Sequence, residues 1–497
     1  MKILLVYPKF PMTFWNFDFA LKFIHKKASM PPLGLITIAS MLPQSWEKRL
    51  VDLNVTGDLT DEEILWADYL FISAMEIQKE SAKEVIRRSK ALGVQTVGGG
   101  PFFSCEESDF GVDFLLKGEG ELTVPEFLSD LQNGTPKPVY QSDGWADLTK
   151  TPIPSWELIH TRNYACLNVQ FSRGCPFNCD FCNITTLFGH IPRTKTAAQL
   201  IDELDVIYKT GYRGGIFFVD DNFIGNKKQI KQEILPVLIE WMSSKHYPFT
   251  FLTEVSINLS DDEELMRLMA RAGFNSVFVG IETVSEASLT ECNKMQNKNR
   301  DMALCVKKIQ SYGMQVQGGF IVGFDSDTPD IFHSMFDFIQ HSGIVTAMVG
   351  LLNAPKGTKL YNRLESEKRI TTEMSGCNTD YSMNFVPKMD EKTLINGYKE
   401  IVNSIYSPKQ YYQRVKLFLS EYSPNTLVKA HLHFYKIQAF IKANFKLGIL
   451  EKERQYYWRL FFWSLFKKPK IFPLAIEYAI YGFHFRKIFE QNAAEVH

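Results

Sequence analysis

The run Ser172-Arg-Gly-Cys-Pro-Phe-Asn-Cys-Asp-Phe-Cys-Asn183 places Cys175, Cys179 and Cys182 in one short stretch with the spacing C-x3-C-x2-C. No fourth cysteine or histidine follows directly, whereas a structural zinc site usually has four protein ligands. Three thiolates suit a 4Fe–4S cluster that is held through three of its irons, because soft sulfur ligands select such clusters. The fourth iron would then be open to a substrate. A zinc knuckle or a chance arrangement is the alternative.

The composition is that of a large globular protein. The chain has 497 residues, a net charge of −1 and a hydrophobic share of 45%, which allow several domains with buried cores. The sequence has no run of about 20 uninterrupted apolar residues, which disfavours a membrane-spanning helix. The apolar run 3–7 is too short for a signal peptide and predicts a first buried strand.

The cysteines outside the run 172–183 are scattered along the chain without a pairing pattern. They are Cys105, Cys166, Cys292, Cys305 and Cys377. Such usage is typical of a reducing compartment, so we expect an oxygen-sensitive cytoplasmic protein.

Residues 1–140 alternate short apolar runs with helical patterns. Strands are predicted at 3–7, 49–53, 69–73, 96–98 and 113–116, and helices at 32–42, 61–66, 78–92 and 120–132. Apolar strands separated by helices form a parallel sheet covered on both faces, so this region is predicted to be a Rossmann-like α/β domain. The proline-rich stretch 133–160 is interpreted as connecting chain, with the linker proper at 141–160.

The same alternation restarts in residues 161–390. Strands are predicted at 167–172, 215–220, 248–255, 276–282, 315–323 and 345–352. Six βα units are too few for a complete eight-unit barrel and indicate a partial barrel. The three-cysteine stretch follows the first of these strands, at the end of the barrel where such folds carry out their chemistry.

Residues 391–497 are predicted to be mainly helical, and their end is aromatic and basic. The last 73 residues contain 17 aromatic residues and 12 Lys/Arg against 5 Asp/Glu. The segment 456–470 suits an amphipathic helix at a membrane surface, but a helical cap whose aromatic residues pack on the barrel is the favoured interpretation. Nucleic-acid binding is disfavoured, because the positive charge is confined to the tail and no stacking module is recognisable.

The three-cysteine stretch resembles the cluster loop of the radical S-adenosylmethionine (SAM) superfamily. That loop has the same spacing and an aromatic residue before its last cysteine, which is Phe181 here. The resemblance implies a partial (β/α)6 barrel with a 4Fe–4S cluster on Cys175, Cys179 and Cys182. In that family the open iron binds SAM, which is cleaved to a hydrogen-abstracting 5′-deoxyadenosyl radical.

The resemblance also implies SAM contacts at the ends of the barrel strands. Asp220 or Asp221, after the second strand, would accept hydrogen bonds from the amino group of SAM. Glu254, Ser256 and Glu282 would contact the ribose and the methionine part of SAM. The runs 318–323 and 353–358 resemble the segment that packs on adenine and the turn that closes the barrel.

The N-terminal region has no Gly-x-Gly-x-x-Gly after its first strand, which disfavours dinucleotide binding. Its runs 30–35, 98–101 and 117–121 instead resemble the cobalamin-binding domain that precedes many radical SAM barrels. Glycines just past strand ends would let the backbone approach a corrin ring, although tight turns would also explain them. The candidate cobalamin contacts are Ser73, Gly98, Gly99, Gly100, Gly118, Glu119 and Gly120.

The lower face of a bound cobalamin is expected to have no histidine ligand. The loop after the first strand, 7–11, contains no histidine. The run Asp52-Leu-Asn-Val-Thr-Gly57 is similar to the histidine-bearing motif of other cobalamin proteins, but it follows the second strand and has asparagine in place of histidine.

The run Lys9-Phe-Pro-Met-Thr-Phe-Trp15 and the aromatic tail resemble a subgroup that includes the hopanoid C-2 methylases. The subgroup implies a cobalamin-dependent methyltransferase that acts on an unactivated carbon of a small molecule or a lipid. Its electron donor would be a flavodoxin or ferredoxin, and its location cytoplasmic, at most peripheral to the inner face of the membrane. Ring closure, oxidation or carbon–carbon coupling on the same fold, and an iron–sulfur redox sensor, are the alternatives.

Overall fold

The computed structural model describes residues 1–105, 110–425 and 434–495. Its N-terminal part has the strands β1 Lys2–Tyr7, β2 Glu47–Asp52, β3 Tyr69–Ser73, β4 Gln95–Gly99, β5 Phe114–Lys117 and β6 Val139–Gln141. Its helices there are α1 Asp18–Ile24, α2 Leu33–Met41, α3 Leu53–Thr56, α4 Asp61–Leu65, α5 Lys79–Ala91, α6 Pro101–Cys105 and α7 Gly120–Gln132.

The six N-terminal strands form one sheet in the order β2-β1-β3-β4-β5-β6, and every neighbouring pair is parallel. The predicted Rossmann-like sheet is therefore confirmed. The strand β6 lies in the stretch 133–160 that was interpreted as connecting chain, and that interpretation is wrong for these three residues. The strand is short and follows Pro136 and Pro138, so its sequence carries no strand signal.

The second part of the chain builds the partial barrel. Its strands are β7 Cys166–Val169, β8 Ser172–Arg173, β9 Arg193–Thr194, β10 Gly215–Phe218, β11 Thr250–Val255, β12 Phe274–Glu282, β13 Gln315–Val322 and β14 Ala347–Leu351. Its helices are α8 Ile184–Phe188, α9 Ala197–Lys209, α10 Lys227–Gln229, α11 Leu235–Ser244, α12 Glu263–Ala272, α13 Glu286–Glu291, α14 Met302–Ser311, α15 Asp330–Ser342 and α16 Lys359–Ser366.

The barrel sheet has the parallel order β7-β10-β11-β12-β13-β14, which confirms the predicted six-stranded partial barrel. Along β11 every second residue is fully buried against the outer helices, and the residues between them, including Glu254, are half-buried. Local signals set the helix ends: Asp262 caps the first turn of α12, and Gly273 ends it with a φ of 104°. The antiparallel pair β8–β9 carries the three-cysteine loop between its strands.

The C-terminal region is helical, as predicted, with α17 Glu391–Ile405, α18 Pro408–Glu421, α19 Phe434–Phe445, α20 Arg454–Lys467 and α21 Phe472–Glu495. Two hydrogen bonds join this region to the end of the barrel at which the strands begin. The Tyr478 hydroxyl of α21 donates to Gln315, the first residue of β13, at 2.6 Å. The Tyr406 hydroxyl donates to the carbonyl of Ala347, the first residue of β14, at 2.7 Å.

No helix in the described ranges is both long and apolar enough to cross a membrane.

Candidate active site

The loop between β8 and β9 brings three thiols together. Cys175, Cys179 and Cys182 are each half-buried, and no disulfide engages them. Burial raises the pKa of all three thiols, that of Cys182 to about 12, and the nearby Cys179 further raises the pKa of Cys175 and of Cys182. The free thiols are therefore protonated near neutral pH, so binding a metal centre must release protons.

The three sulfurs suit a cluster better than a single ion. Within residues 1–105, 110–425 and 434–495, no three Cys, His, Asp or Glu side chains converge closely enough to hold one metal ion. A 4Fe–4S cluster does not require that convergence, because each thiolate binds a different iron at a separate corner. The donor set of Cys175, Cys179 and Cys182 therefore fits such a cluster.

Close backbone packing fixes the start of the cysteine loop. Gly174 has a φ of 95°, and an added Cβ would lie about 3.0 Å from the carbonyl of Gly189. The backbone N–H of Gly174 donates to Oδ2 of Asp221 at 2.9 Å, and that of Cys175 donates to the Gly189 carbonyl at 3.3 Å. Only glycine fits this turn without strain.

Asp220 and Asp221 face different surroundings. Asp220 is fully buried and accepts hydrogen bonds from the backbone N–H groups of Phe171 and Ser172 and from the Ser172 hydroxyl. Burial raises the pKa of Asp220 to about 7, although these hydrogen bonds oppose the shift. Asp221 is half-buried, and only one of its oxygens accepts the Gly174 N–H.

Two more carboxylates end the next strands. Burial, together with Asp221, Asp220 and Glu282, raises the pKa of Glu254 on β11 to about 8. Glu282 ends β12 with a φ of 63°, and its Oε1 lies 2.6 Å from Nζ of Lys294.

Lys294 is a site residue that sequence reasoning missed. Burial alone would lower its pKa, but the nearby Glu282 carboxylate and the sulfur of Cys179 outweigh that effect and raise it. Its cationic head therefore lies between an acidic strand end and the cysteine loop. No motif marks it, because it comes from a loop distant in sequence from the cysteines. Gln296, on the same loop, lies with Nε2 3.8 Å from Sγ of Cys179.

The remaining predicted SAM contacts are placed as follows. The Ser256 hydroxyl donates to Oδ1 of Asn258 at 2.7 Å and lies 3.4 Å from Nδ2 of Asn222. The ring of Phe181 packs edge-on against Phe324, with centroids 6.3 Å apart. Phe181 therefore anchors the cysteine loop to the segment after β13.

The candidate cobalamin contacts meet at the carboxyl edge of the N-terminal sheet. Ser73 ends β3 and Gly99 ends β4. Gly98 lies inside β4, where an added Cβ would press on the ring of Phe103 at 3.0 Å. Gly100 has a φ of 94°, and an added Cβ would collide with the Ser73 hydroxyl.

The segment after β5 supplies the other three candidates. Gly118 has a φ of 85° and open space where a Cβ would stand, which leaves its backbone accessible. Gly120 begins α7 and approaches Ile38 of α2 too closely for a side chain. Glu119 does not face open space, because its buried carboxylate accepts the backbone N–H of Ala146 at 2.7 Å.

Glu119 joins the N-terminal sheet to the cysteine loop. Its carboxylate pairs with Arg173 at 2.7 Å and with Arg193 at 2.9 Å. Arg173 also pairs with Glu121 at 2.7 Å. The helix α6, after Gly100, contacts α8, after the cysteines. The candidate cobalamin edge therefore faces the candidate cluster loop.

The N-terminal run 9–15 and the tail contact each other. The ring of Phe14 stacks on Phe485 at 4.2 Å, and Nε2 of His484 lies 3.0 Å from the Phe14 carbonyl. Trp15 packs edge-on against Phe278 of β12, with centroids 5.6 Å apart. The two sequence features that resemble the hopanoid methylase subgroup thus form one structural unit beside the barrel.

Family models match three consecutive parts of the chain. They are a B12 binding domain over residues 24–128, the radical SAM superfamily over residues 169–339, and a domain of unknown function (DUF4070) over residues 358–497. The fold and the site together define a cobalamin-binding radical SAM enzyme.

Similarity to individual proteins indicates which radical SAM enzymes the chain is related to. The chain is 38% identical to an uncharacterized methyltransferase of Synechocystis sp., over 100% of this chain and 94% of that protein. It is 32% identical to the hopanoid C-2 methylase of Rhodopseudomonas palustris, over 90% of this chain and 84% of that protein. It is 25% identical to an anaerobic magnesium-protoporphyrin IX monomethyl ester cyclase of Synechocystis sp., over 55% and 61%.

The chain belongs to the cobalamin-dependent radical SAM methyltransferase family. Its cofactors are a 4Fe–4S cluster, SAM and cobalamin, as predicted.

Two solved structures share the fold. The cobalamin-dependent SAM radical enzyme OxsB, with aqua-cobalamin and SAM bound, matches with a TM-score of 0.62 and 17% identity, over 100% of this chain and 80% of its own. The radical SAM methyltransferase TsrM of Kitasatospora setae, with cobalamin and a 4Fe–4S cluster bound, matches with a TM-score of 0.58 and 16% identity, over 75% and 79%. Both likenesses concern the fold.

Proposed function

We propose that this protein transfers a methyl group to an unactivated carbon of a lipid such as a hopanoid. The observation that carries the proposal is the 32% identity to a hopanoid C-2 methylase over 90% of the chain. The edge-on contact of Trp15 with Phe278 of β12 gives an apolar pair of rings, which suits a large hydrocarbon acceptor.

Each group of site residues has its own role in this proposal. Cys175, Cys179 and Cys182 hold the cluster, and Lys294 offsets the negative charge of their thiolates. When bound, the cluster and SAM supply a hydrogen-abstracting radical, and cobalamin supplies the methyl group.

The strand ends orient SAM. Asp221 keeps one carboxylate oxygen for the amino group of SAM, whereas the oxygens of Asp220 are occupied by residues 171 and 172. Glu254, Glu282 and Ser256 complete this side of the site, and Phe181 steadies the loop against Phe324. Pre-oriented groups of this kind lower the barrier by fixing the reacting atoms close together.

Cobalamin would be held at the carboxyl edge of the N-terminal sheet by Ser73, Gly98, Gly99, Gly100, Gly118 and Gly120. The loop after β1, residues 7–11, has no histidine that could ligate it. Asn54 holds this loop in place, because its side chain donates to the Pro8 carbonyl and accepts the Phe10 N–H. Glu119 acts by holding Arg173 and Arg193 rather than by touching the corrin.

The working protein needs an electron donor such as a flavodoxin or ferredoxin. We place the protein itself in the cytoplasm, peripheral to the inner face of the membrane.

A second candidate function, radical ring closure without methyl transfer, is favoured by the 25% identity to a cyclase. The absence of S-adenosylhomocysteine among the products would identify it.

Metal and cobalamin analysis tests the cofactor assignment. After anaerobic reconstitution we expect about four irons and about one cobalamin per chain. Cys179→Ala should lose the iron and the reductive cleavage of SAM, whereas Cys305→Ala, on α14, should keep both. Retention of the cluster by Cys179→Ala would refute the assignment, and so would a single bound zinc ion in the unaltered protein.

A further inference from the structure

A strip of exposed apolar side chains covers α19, the turn after it, and α20. We call it the apolar strip, and its members are Ile437, Ile441, Phe445, Ile449, Leu450, Phe462, Leu465 and Phe466. Ile441 is 62% exposed and Phe466 is 74% exposed. Monomeric soluble proteins seldom expose so many large apolar side chains together, so the strip calls for a partner.

Helical spacing makes the strip continuous. Ile437, Ile441 and Phe445 follow one another at intervals of four on α19. On α20 the rings of Trp458 and Phe462 stack at 5.6 Å, and those of Phe462 and Phe466 stack at 6.3 Å. The two helices meet where Nε1 of Trp458 donates to the carbonyl of Gly448 at 2.8 Å, next to Ile449 and Leu450.

The apolar strip is not the face by which α19 and α20 pack on the rest of the protein. The opposite faces of these helices are already packed. Ala443 and Leu447 lie in one buried cluster with Tyr457 of α20, Phe23 of α1 and Ile480 of α21. Folding therefore anchors α19 and α20 and leaves the apolar strip outward.

Unpaired cations border the strip. They are Lys452, Arg454, Arg459, Lys467 and Lys470, all exposed. None of them has an ion-pair partner in the part of the chain that the structure describes. Apolar and aromatic side chains bordered by lysine and arginine match the layering of a bilayer, where acyl chains lie beneath anionic headgroups.

We propose that the apolar strip docks on the surface of an anionic lipid bilayer, with α19 and α20 lying in the plane of the headgroups. A second copy of this chain fits less well, because a two-fold contact would bring the same unpaired cations face to face. This docking surface specifies the peripheral location proposed above, on which it rests, but it does not depend on methyl transfer.

Vesicle co-sedimentation tests the proposal without turnover. The full chain is mixed with vesicles of phosphatidylcholine containing one third phosphatidylglycerol, or with phosphatidylcholine alone. We expect binding to the anionic vesicles that weakens as salt is raised. The double variant Phe462→Asp/Phe466→Asp should bind about tenfold more weakly or worse, because two phenylalanine side chains leave the interface.

Leu304→Asp is the matched control. Leu304 is 64% exposed on α14, outside the strip, and its replacement should leave vesicle binding unchanged. Thermal unfolding shows that each variant is folded; should the double variant unfold, Lys467→Glu/Lys470→Glu takes its place, with the same expected loss. No binding by the unaltered chain would overturn the proposal, and so would equal binding by these variants. A dimer, detected by light scattering without lipid and abolished by Phe462→Asp/Phe466→Asp, would assign the strip to a second copy instead.

Because the assay contains no SAM or acceptor, a failure of methyl transfer leaves the vesicle result intact. Conversely, methyl transfer by an enzyme that does not bind anionic vesicles would refute the proposed docking surface and leave the proposed reaction supported.

Discussion

Nη1 of Arg173 lies 2.7 Å from Oε1 of Glu119, and this buried ion pair ties the candidate cluster loop to the N-terminal sheet. Arg173 stands two residues before Cys175, and Glu119 precedes the first residue of α7. The position of the first cysteine is therefore set in part by the domain that would hold cobalamin. The candidate cobalamin edge and the candidate cluster loop are thus joined by side chains of this chain.

Glu119→Gln should destabilise the protein by about 3 kcal/mol, because removing one charge from a buried ion pair leaves the other uncompensated. Here Arg193 loses its carboxylate partner, whereas Arg173 loses one of two and keeps Glu121. Urea unfolding measures the change, and the iron content after reconstitution should fall with it. Glu126→Gln, which removes an exposed pair with Lys137, is the control and should change neither quantity. Unchanged stability and iron content in Glu119→Gln would contradict this role of the pair.

Glu254 makes the cofactor-free protein sensitive to pH. Burial and neighbouring carboxylates raise the pKa of Glu254 to about 8, from 4.5 in the unfolded chain. The folded state therefore binds more protons between these values, so stability should fall as the pH rises from 4.5 through 8. Glu254→Gln should flatten this fall in melting temperature, whereas the exposed Glu240→Gln should not. A melting temperature of the unaltered protein that rises across the same window would contradict this electrostatic account.

Gly100→Ala should lower cobalamin occupancy. The added Cβ would push the Ser73 hydroxyl from its position, at a φ of 94° that already disfavours alanine. Absorbance of bound cobalamin per chain gives the occupancy. Gly134→Ala is the control, since its φ is 74° but its surroundings are open. Equal cobalamin occupancy in the two variants would show that the Ser73–Gly100 contact is not part of the cobalamin site.

Replacement of Asp220 and of Asp221 should have different effects on iron content and SAM binding. Asp221→Asn should weaken SAM binding while most of the iron is retained, because one oxygen can still accept the Gly174 N–H. Asp220→Asn should lose iron, because an amide cannot accept all the hydrogen bonds that Phe171 and Ser172 donate. Iron analysis and equilibrium binding of SAM measure the two effects. Loss of iron in Asp221→Asn together with weakened SAM binding in Asp220→Asn would contradict this assignment of roles.

The sequence predicted the parts of the molecule that carry a local signal. Apolar runs separated by amphipathic helices indicated both parallel sheets, and Cys175, Cys179 and Cys182 share a loop because their spacing is short. Carboxylates that end neighbouring parallel strands, such as Glu254 and Glu282, meet at one edge by topology, so their proximity followed from strand assignment alone.

Other features depend on contacts between distant segments and have no local signal. Lys294 reaches Glu282 only through the packing of a loop, and the ion pair of Glu119 with Arg173 joins residues 54 positions apart. In the tail, Tyr457 and Leu460 are buried, as a helical cap requires, whereas Phe462 and Phe466 on the same helix are exposed. Contact of this helix with a membrane stays a prediction. The sequence of α20 is aromatic all round and has no clear apolar face, so it does not show which side of the helix is buried and which is exposed.

Transfer of an isotope-labelled methyl group would detect the proposed reaction itself. The anaerobically reconstituted protein, with cobalamin, a chemical reductant and SAM carrying a deuterated methyl group, is incubated with a hopanoid acceptor. We expect 5′-deoxyadenosine, S-adenosylhomocysteine and a lipid product that has gained the labelled methyl group, and neither 5′-deoxyadenosine nor labelled lipid with Cys179→Ala. Formation of 5′-deoxyadenosine with no S-adenosylhomocysteine and no label in any acceptor would contradict methyl transfer.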